Sequence, residues 1–173
     1  HDEQVVELRF ALARLWSDSG RAAEALAVNR GILHALATRP EARLLYFRAA
    51  EGVGDALHDL GRYREAAEAS RVAVAGCAAE YGEDHPLTAF QMVYLARSLG
   101  QAGALEEART VAEKALACHL RFGGDEHLDT YRAERCLARI LAALGDDLER
   151  AEALARHAAA GYARVRDPGH VDI

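Results

Sequence analysis

Proline is nearly missing from this chain of 173 residues: Pro40, Pro86 and Pro168 are the only three, so long stretches run without a helix breaker. Aromatic residues are scarce, and no run alternates Val, Ile and Thr as a half-buried strand would. Lysine occurs once, as Lys114, so the basic side is arginine. That bias fits a GC-rich genome and favours two-pronged carboxylate contacts over point charges. A net charge of −6, without clustered cations, weighs against nucleic acid as the main partner. Cys77, Cys118 and Cys136 are odd in number and lack CxxC spacing, which reads as small buried thiols in a reducing compartment. There is no secretory apolar region, and no apolar run nears the ~18 residues of a membrane span. The expectation is a cytoplasmic protein with no membrane contact. The chain opens on His1 rather than methionine, which reads as a piece of something longer.

Catalytic signatures are missing too. There is no G-x-x-x-x-G-K, no G-x-S-x-G and no H-E-x-x-H, and none of the four serines sits in a nucleophile turn. Cys118 and His119 are adjacent, so on a helix their side chains diverge by about 100° and do not form a nucleophile–base pair. His34 and His157 read as surface or packing residues. No enzyme, cofactor or metal is expected.

What the chain does have is alanine, the residue that costs least in a helix, and a repeat. "SDSGRAAEAL", "HDLGRYREAA", "GQAGALEEAR" and "AALGDDLERAEA" align on Gly20, Gly61, Gly103 and Gly145, whose spacing is constant to within one position. Ala25, Ala66 and Ala108 follow at the fifth place after their glycines, and Ala151 at the sixth. A second phase agrees, with "LAR" beginning at Leu12, Leu95 and Leu137. Each unit reads as two helices with a glycine between them. Apolar stripes mark the inner faces: Met92, Leu95, Ala96 and Leu99, then Ala108, Val111, Ala112, Ala115 and Leu116 from about Leu105 to Leu120. The flanking units offer Leu8, Leu12, Leu15 and Trp16, and Leu137, Ile140, Leu141 and Leu144. The expected fold is all-α, about eight helices in four helix-turn-helix units: about 1–40, 41–84, 85–126 and 127–169. Gly52 and Gly54 fall inside a helix and predict a weak or bent element there. The segment from Pro40 to Gly61 is longer than its counterparts.

"YGEDHPLT" sets two carboxylates beside His85 and would suit a metal or catalytic site. It recurs one unit later as "RFGGDEHLDT", and a third, looser copy is the tail "RVRDPGHVD"; His1 and His170 share the phase. One copy per stacked unit keeps the copies about a helix diameter apart, too far for shared metal ligation. The reading is linker chemistry. Gly82 and Gly123 end helices, the acids favour the next N-terminus, and Pro86 opens a first turn.

The pattern of Gly61, Tyr63 and Ala66 with Leu95 and Ala96 resembles the tetratricopeptide repeat. The longer period and "YGEDHP" resemble its kinesin-light-chain type, widespread in large bacterial regulatory proteins. The resemblance implies a right-handed superhelix whose first helices line a concave groove and bind protein or peptide. The adjacent asparagines of that type are absent: their places hold Phe10-Ala11, Glu51-Gly52, Val93-Tyr94 and Arg135-Cys136.

Helical angles from the core leucine of each first helix give the groove-facing set. Units three and four present Phe90, Val93, Arg97, Gly100 and Gln101, with Arg132, Arg135, Arg139, Ala142 and Ala143. Unit one gives Glu7, Phe10, Arg14, Ser17 and Asp18, and unit two Arg48, Glu51, Asp55, His58 and Asp59. Arg97, Arg132, Arg135 and Arg139 carry no acid among them on this reading, so they suit an acidic segment or C-terminal carboxylate beside apolar Phe90 and Val93. The competing reading is a solvated face paired with neighbours such as Glu134. Phe90 fits insertion between helices as well as ligand contact. The leading expectation is a non-catalytic interaction module. Two others stand beside it: the sensor arm of a signal-transducing ATPase or transcriptional regulator, and a scaffold that self-associates through its ends.

Overall fold

A computed structural model describes residues 2–166. His1 and the 167–173 part of the tail, with His170, lie outside the described residues. The chain folds as α1 (Asp2–Asp18), α2 (Ala22–Leu36), a 3-10 turn (Pro40–Ala42), α3 (Arg43–Asp59), α4 (Tyr63–Tyr81), α5 (Pro86–Gln101), α6 (Leu105–Gly123), α7 (Leu128–Leu144) and α8 (Leu148–Arg166). No strand occurs among the described residues. The extra length after α2 is taken up by the 3-10 turn.

The repeat glycines do what their spacing predicts. Gly20, Gly61, Gly103 and Gly145 each follow a first helix with φ between 71° and 86°, left-handed backbone that a Cβ disfavours. Each helix packs against the next in sequence, and the first helices α1, α3, α5 and α7 also approach one another directly. The second helices are tied instead by long ion pairs: Arg30 to Glu65 at 3.8 Å, Arg71 to Glu107 at 2.7 Å and Arg150 to Glu113 at 3.0 Å. The first helices therefore form the tight, inner side of the stack.

Alanine sets the packing distance. Ala25, Ala66, Ala108, Ala112 and Ala115 are fully buried, and the central core joins Leu95, Leu99, Leu116, Leu137 and Ile140. Each large buried side chain contributes about 1.5–3 kcal/mol. Within the pairs, bulk is matched across the repeat. Phe47, Ala89 and Tyr131 hold one register position on α3, α5 and α7. Opposite them on α4, α6 and α8 stand Gly76, Cys118 and Gly161. A Cβ on Gly76 would lie 2.1 Å from Phe47, and one on Gly161 would lie 2.2 Å from Tyr131. Where the ring is replaced by Ala89, Cys118 fills the space.

Three expectations are corrected. Leu8, Leu12 and Leu15 are exposed, and α1 buries Phe10 and Ala13 instead; among the described residues α1 packs on α2 and α3, which lie on that other side. Helix α3 runs unbroken through Gly52 and Gly54. Those glycines provide clearance, since a Cβ on Gly52 would meet the Asn29 side chain at 2.6 Å and one on Gly54 would meet Ser70 Oγ at 3.0 Å. Finally, α6 includes Gly123 and is ended by Gly124, which gives the two junctions the same spacing as Gly61 and Gly103.

Candidate functional site

The junctions come first, because "YGEDHP" posed the sharpest chemical question. His85 is the N-cap of α5: its Nδ1 accepts the Leu87 backbone N–H at 3.2 Å, and Pro86 opens the helix. His127 caps α7 in the same way, accepting from Asp129 N–H at 3.2 Å. Thr88 and Thr130 each donate back to the carbonyl of the preceding left-handed glycine, Gly82 and Gly124, at 2.8 and 2.6 Å. The imidazoles thus satisfy helix-end N–H groups that would otherwise lack partners. Sequence reasoning missed this capping role, since histidine is an uncommon cap and the neighbouring acids are the commoner one. Asp84 offers its backbone carbonyl to the Cys118 thiol at 3.3 Å. Among the described residues no group of His, Cys, Asp and Glu is placed to hold a metal ion.

The inner face holds a cavity of about 270 Å³ between α5 and α7, closed behind by α6. Nine of the sequence-predicted groove residues line it: Phe90, Val93, Arg97, Gly100 and Gln101 from α5, and Arg132, Arg135, Arg139 and Ala143 from α7. Spacing explains the convergence. Positions 90, 93, 97 and 101 fall on one stripe of an α-helix, and the repeat period carries that stripe onto the neighbouring first helix. The predicted residues of units one and two, Arg14, Asp55 and His58 among them, lie elsewhere. Arg14 is almost fully exposed and pairs with Asp18 at 3.9 Å. Asp55 and His58 stay on α3, outside the cavity wall. Phe10, also placed on the groove face, is core, with the Arg48 guanidinium 4.2 Å above its ring.

The expectation that the arginines are free of acids is also corrected. Arg97 donates to Asp55 at 2.7 Å and Arg132 to Asp129 at 2.6 Å. Arg132 also lies 5.7 Å from the Phe90 ring centre, and Arg97 lies 4.9 Å from that of Tyr94. Glu134 turns away from the arginines to His157, 2.9 Å distant. Arg135 rests over Tyr162 at 5.1 Å. Both Arg135 and Arg139 are exposed, and no carboxylate pairs with either among the described residues.

The back wall adds a residue that sequence reasoning missed. His119, on α6, is 3% exposed and lines the cavity, and its Nε2 has no hydrogen-bond partner among the described residues. Burial pushes its pKa down, against the pull of Asp129, and so disfavours the charged ring. The available signal was its register: it takes the place of Cys77 on α4, an inward position where a polar ring is unexpected. Beside the cavity, burial pushes the Asp55 carboxyl up to about 6 despite the nearby Arg97, with Glu51 adding to the rise. Burial also raises the pKa of Glu51, which accepts from Gln91 at 2.9 Å.

Residues 45–121 match the tetratricopeptide repeat model. Among solved structures, the chain is similar to a kinesin light chain protein with nearly identical TPR-like repeats from Podosopora anserina. The identity is 22% over 93% of this chain and 76% of that one, with a TM-score of 0.76. It is likewise similar to BtubC (BKLC) from P. vanneervenii, at 22% identity over 98% of this chain and 66% of that one, with a TM-score of 0.77. A search of curated proteins returns no match. At that identity the likeness concerns the fold, which spans nearly the whole chain. Arrays of this kind serve in general as protein–protein interaction modules. Among the described residues, no helix is long and apolar enough to cross a membrane.

Proposed function

We propose that this chain, a tetratricopeptide-repeat array with the fold of kinesin-light-chain-like proteins, binds a partner protein through its inner face and does no chemistry on it. The bound element is an acidic segment or a C-terminal carboxylate, seated between α5 and α7. One observation carries the reading. Arg135 and Arg139 stand one helical turn apart, without acidic partners, at the mouth of a cavity with an apolar floor of Phe90, Val93 and Ile140. Two forked guanidiniums on one stripe match a carboxylate's geometry, while the floor takes the neighbouring side chain. The cavity is just below the usual size for small-molecule sites, so it admits one or two side chains of an extended segment. Arg97 and Arg132 act as a reserve, since each already answers an internal acid.

Peptide arrays of acidic sequences, each with a free or an amidated C-terminus, test the assignment by fluorescence anisotropy. Arg135→Ala with Arg139→Ala should weaken the best binder by at least about tenfold, the loss expected from one charged hydrogen bond or more. Equal binding by the double variant, with an unchanged melting curve, would remove the arginines from the site.

A further inference from the structure

The charges of the inner face fall on one register position. Six places before the repeat glycines stand Arg14, Asp55, Arg97 and Arg139, one on each first helix. An acid occurs there once, on α3. Arg97 of α5 answers it across the groove, donating to Asp55 at 2.7 Å. Arg139 of α7 finds no acid one unit back, because Arg97 itself holds that place. Cys136 lies between these helices, with its thiol 3.7 Å from the Val93 carbonyl. Burial pushes that thiol up to about 11, and Arg97, Arg139 and Arg135 all pull it back. The positive charge of three arginines therefore gathers at one point between α5 and α7.

The hold of Asp55 on Arg97 is weak. Both side chains are about one-third exposed, so the pair is open to exchange. It is also one-pronged: a single Arg97 nitrogen meets a single Asp55 oxygen, and Arg97 Nε has no hydrogen-bond partner among the described residues. A two-pronged contact is the stronger arrangement for a guanidinium. The surroundings of Asp55 disfavour its charge. Burial pushes the carboxyl up to about 6 against the pull of Arg97, and Glu51 and Asp59 of its own helix add to the rise. Tyr94 of α5 senses the same two acids, Asp55 and Glu51, and Cys77 of α4 lies within reach of Glu51. His58 is pushed down by burial and then by Arg97. The pair of Arg132 and Asp129 differs, since Asp129 stands in the first turn of α7 and is favoured there by the helix end with or without its arginine.

We propose that Asp55 is a built-in competitor, holding Arg97 until the carboxylate of a guest between α5 and α7 takes that guanidinium, whereupon Asp55 takes up a proton from solvent. The exchange presupposes the acidic guest proposed above. Left without Arg97, Asp55 keeps Glu51 and Asp59 as neighbours, and a half-buried carboxylate among acids protonates. Guest affinity is therefore highest below about 6, where Asp55 already carries its proton, and falls as pH rises past that value. The guest's own carboxylate stays ionised over this range.

Benzoate, a carboxylate on an apolar ring, serves as the probe, and carbon-detected NMR of the Asp55 carboxyl reads the competitor directly. Saturating benzoate should raise the Asp55 titration midpoint by roughly one pH unit, and benzoate should bind about tenfold more tightly near pH 5.5 than near pH 8, two readings of one coupling. Asp55→Asn should bind benzoate about tenfold more tightly than wild type near pH 8 and lose the pH dependence, which separates Asp55 from His58 as its source. Melting curves check that the variant folds, and the wild-type midpoint needs no variant. Benzoate that binds through Arg135 and Arg139, as their double alanine variant reveals, yet leaves the Asp55 midpoint unmoved would overturn the exchange and spare the arginine site. Failure of both wild type and Asp55→Asn to bind benzoate would overturn both.

Discussion

At the scale of single residues, the inner face is governed by where acids fall relative to arginines. Asp55 sits between α3 and α5 in a position where burial outweighs the attraction of Arg97, which is why its carboxyl is pushed up to about 6. A carboxyl with a folded value above its unfolded 3.8 binds more protons folded than unfolded in between. The stability it contributes is complete below the unfolded value and is lost as pH rises through about 6. Thermal melting across that window should show a falling contribution in the wild type, and Asp55→Asn should flatten it. If Asp55→Asn leaves the pH profile unchanged, this half-buried carboxyl is not its source. The pairing that tempers Arg97 was illegible from sequence, because its partner lies a full repeat away on a neighbouring helix and nothing local marks it. Asp129 is nearer to its arginine and equally hidden, since in sequence it reads as part of a linker rather than as the first turn of α7. The arginine stripe itself was legible, because helical geometry places a residue's face without reference to any neighbour.

At the scale of helices, period and glycine spacing anticipated the eight helices but not the 3-10 turn at Pro40–Ala42, and they failed where burial depends on what stands opposite. Leu8, Leu12 and Leu15 read as an inner face because they are apolar, yet a face is buried only if another helix lies on it. Gly52 and Gly54 read as weak points because their helical cost is local, while the benefit, room for Asn29 and Ser70, comes from α2 and α4. The same logic makes a prediction about matched bulk. Gly161→Ala should destabilise the fold by about 1–3 kcal/mol, because Tyr131 leaves no room for a methyl. Gly76→Ala should cost a similar amount, and combining it with Phe47→Ala should cost clearly less than the sum of the two single changes, since the ring is the obstacle. Denaturant melts of the four variants check this. Strict additivity would mean that Phe47 and Gly76 do not sense each other.

At the scale of the whole array, the inner and outer sides are joined by different means. The inner side is held by direct contact of first helices and by pairs such as Gln91 with Glu51. The outer side relies on arginine–glutamate pairs between exposed side chains, which salt screens readily. X-ray scattering in low and in high salt should therefore show a change in overall dimensions with no change in helical content. Identical profiles would mean that apolar packing alone fixes the curvature. The array is then a strip with one firm edge and one compliant edge, a shape that flexes about the firm one. A guest lodged along the firm edge sits near the axis of that flexing, so the distant ends could swing while its grip stays almost undisturbed.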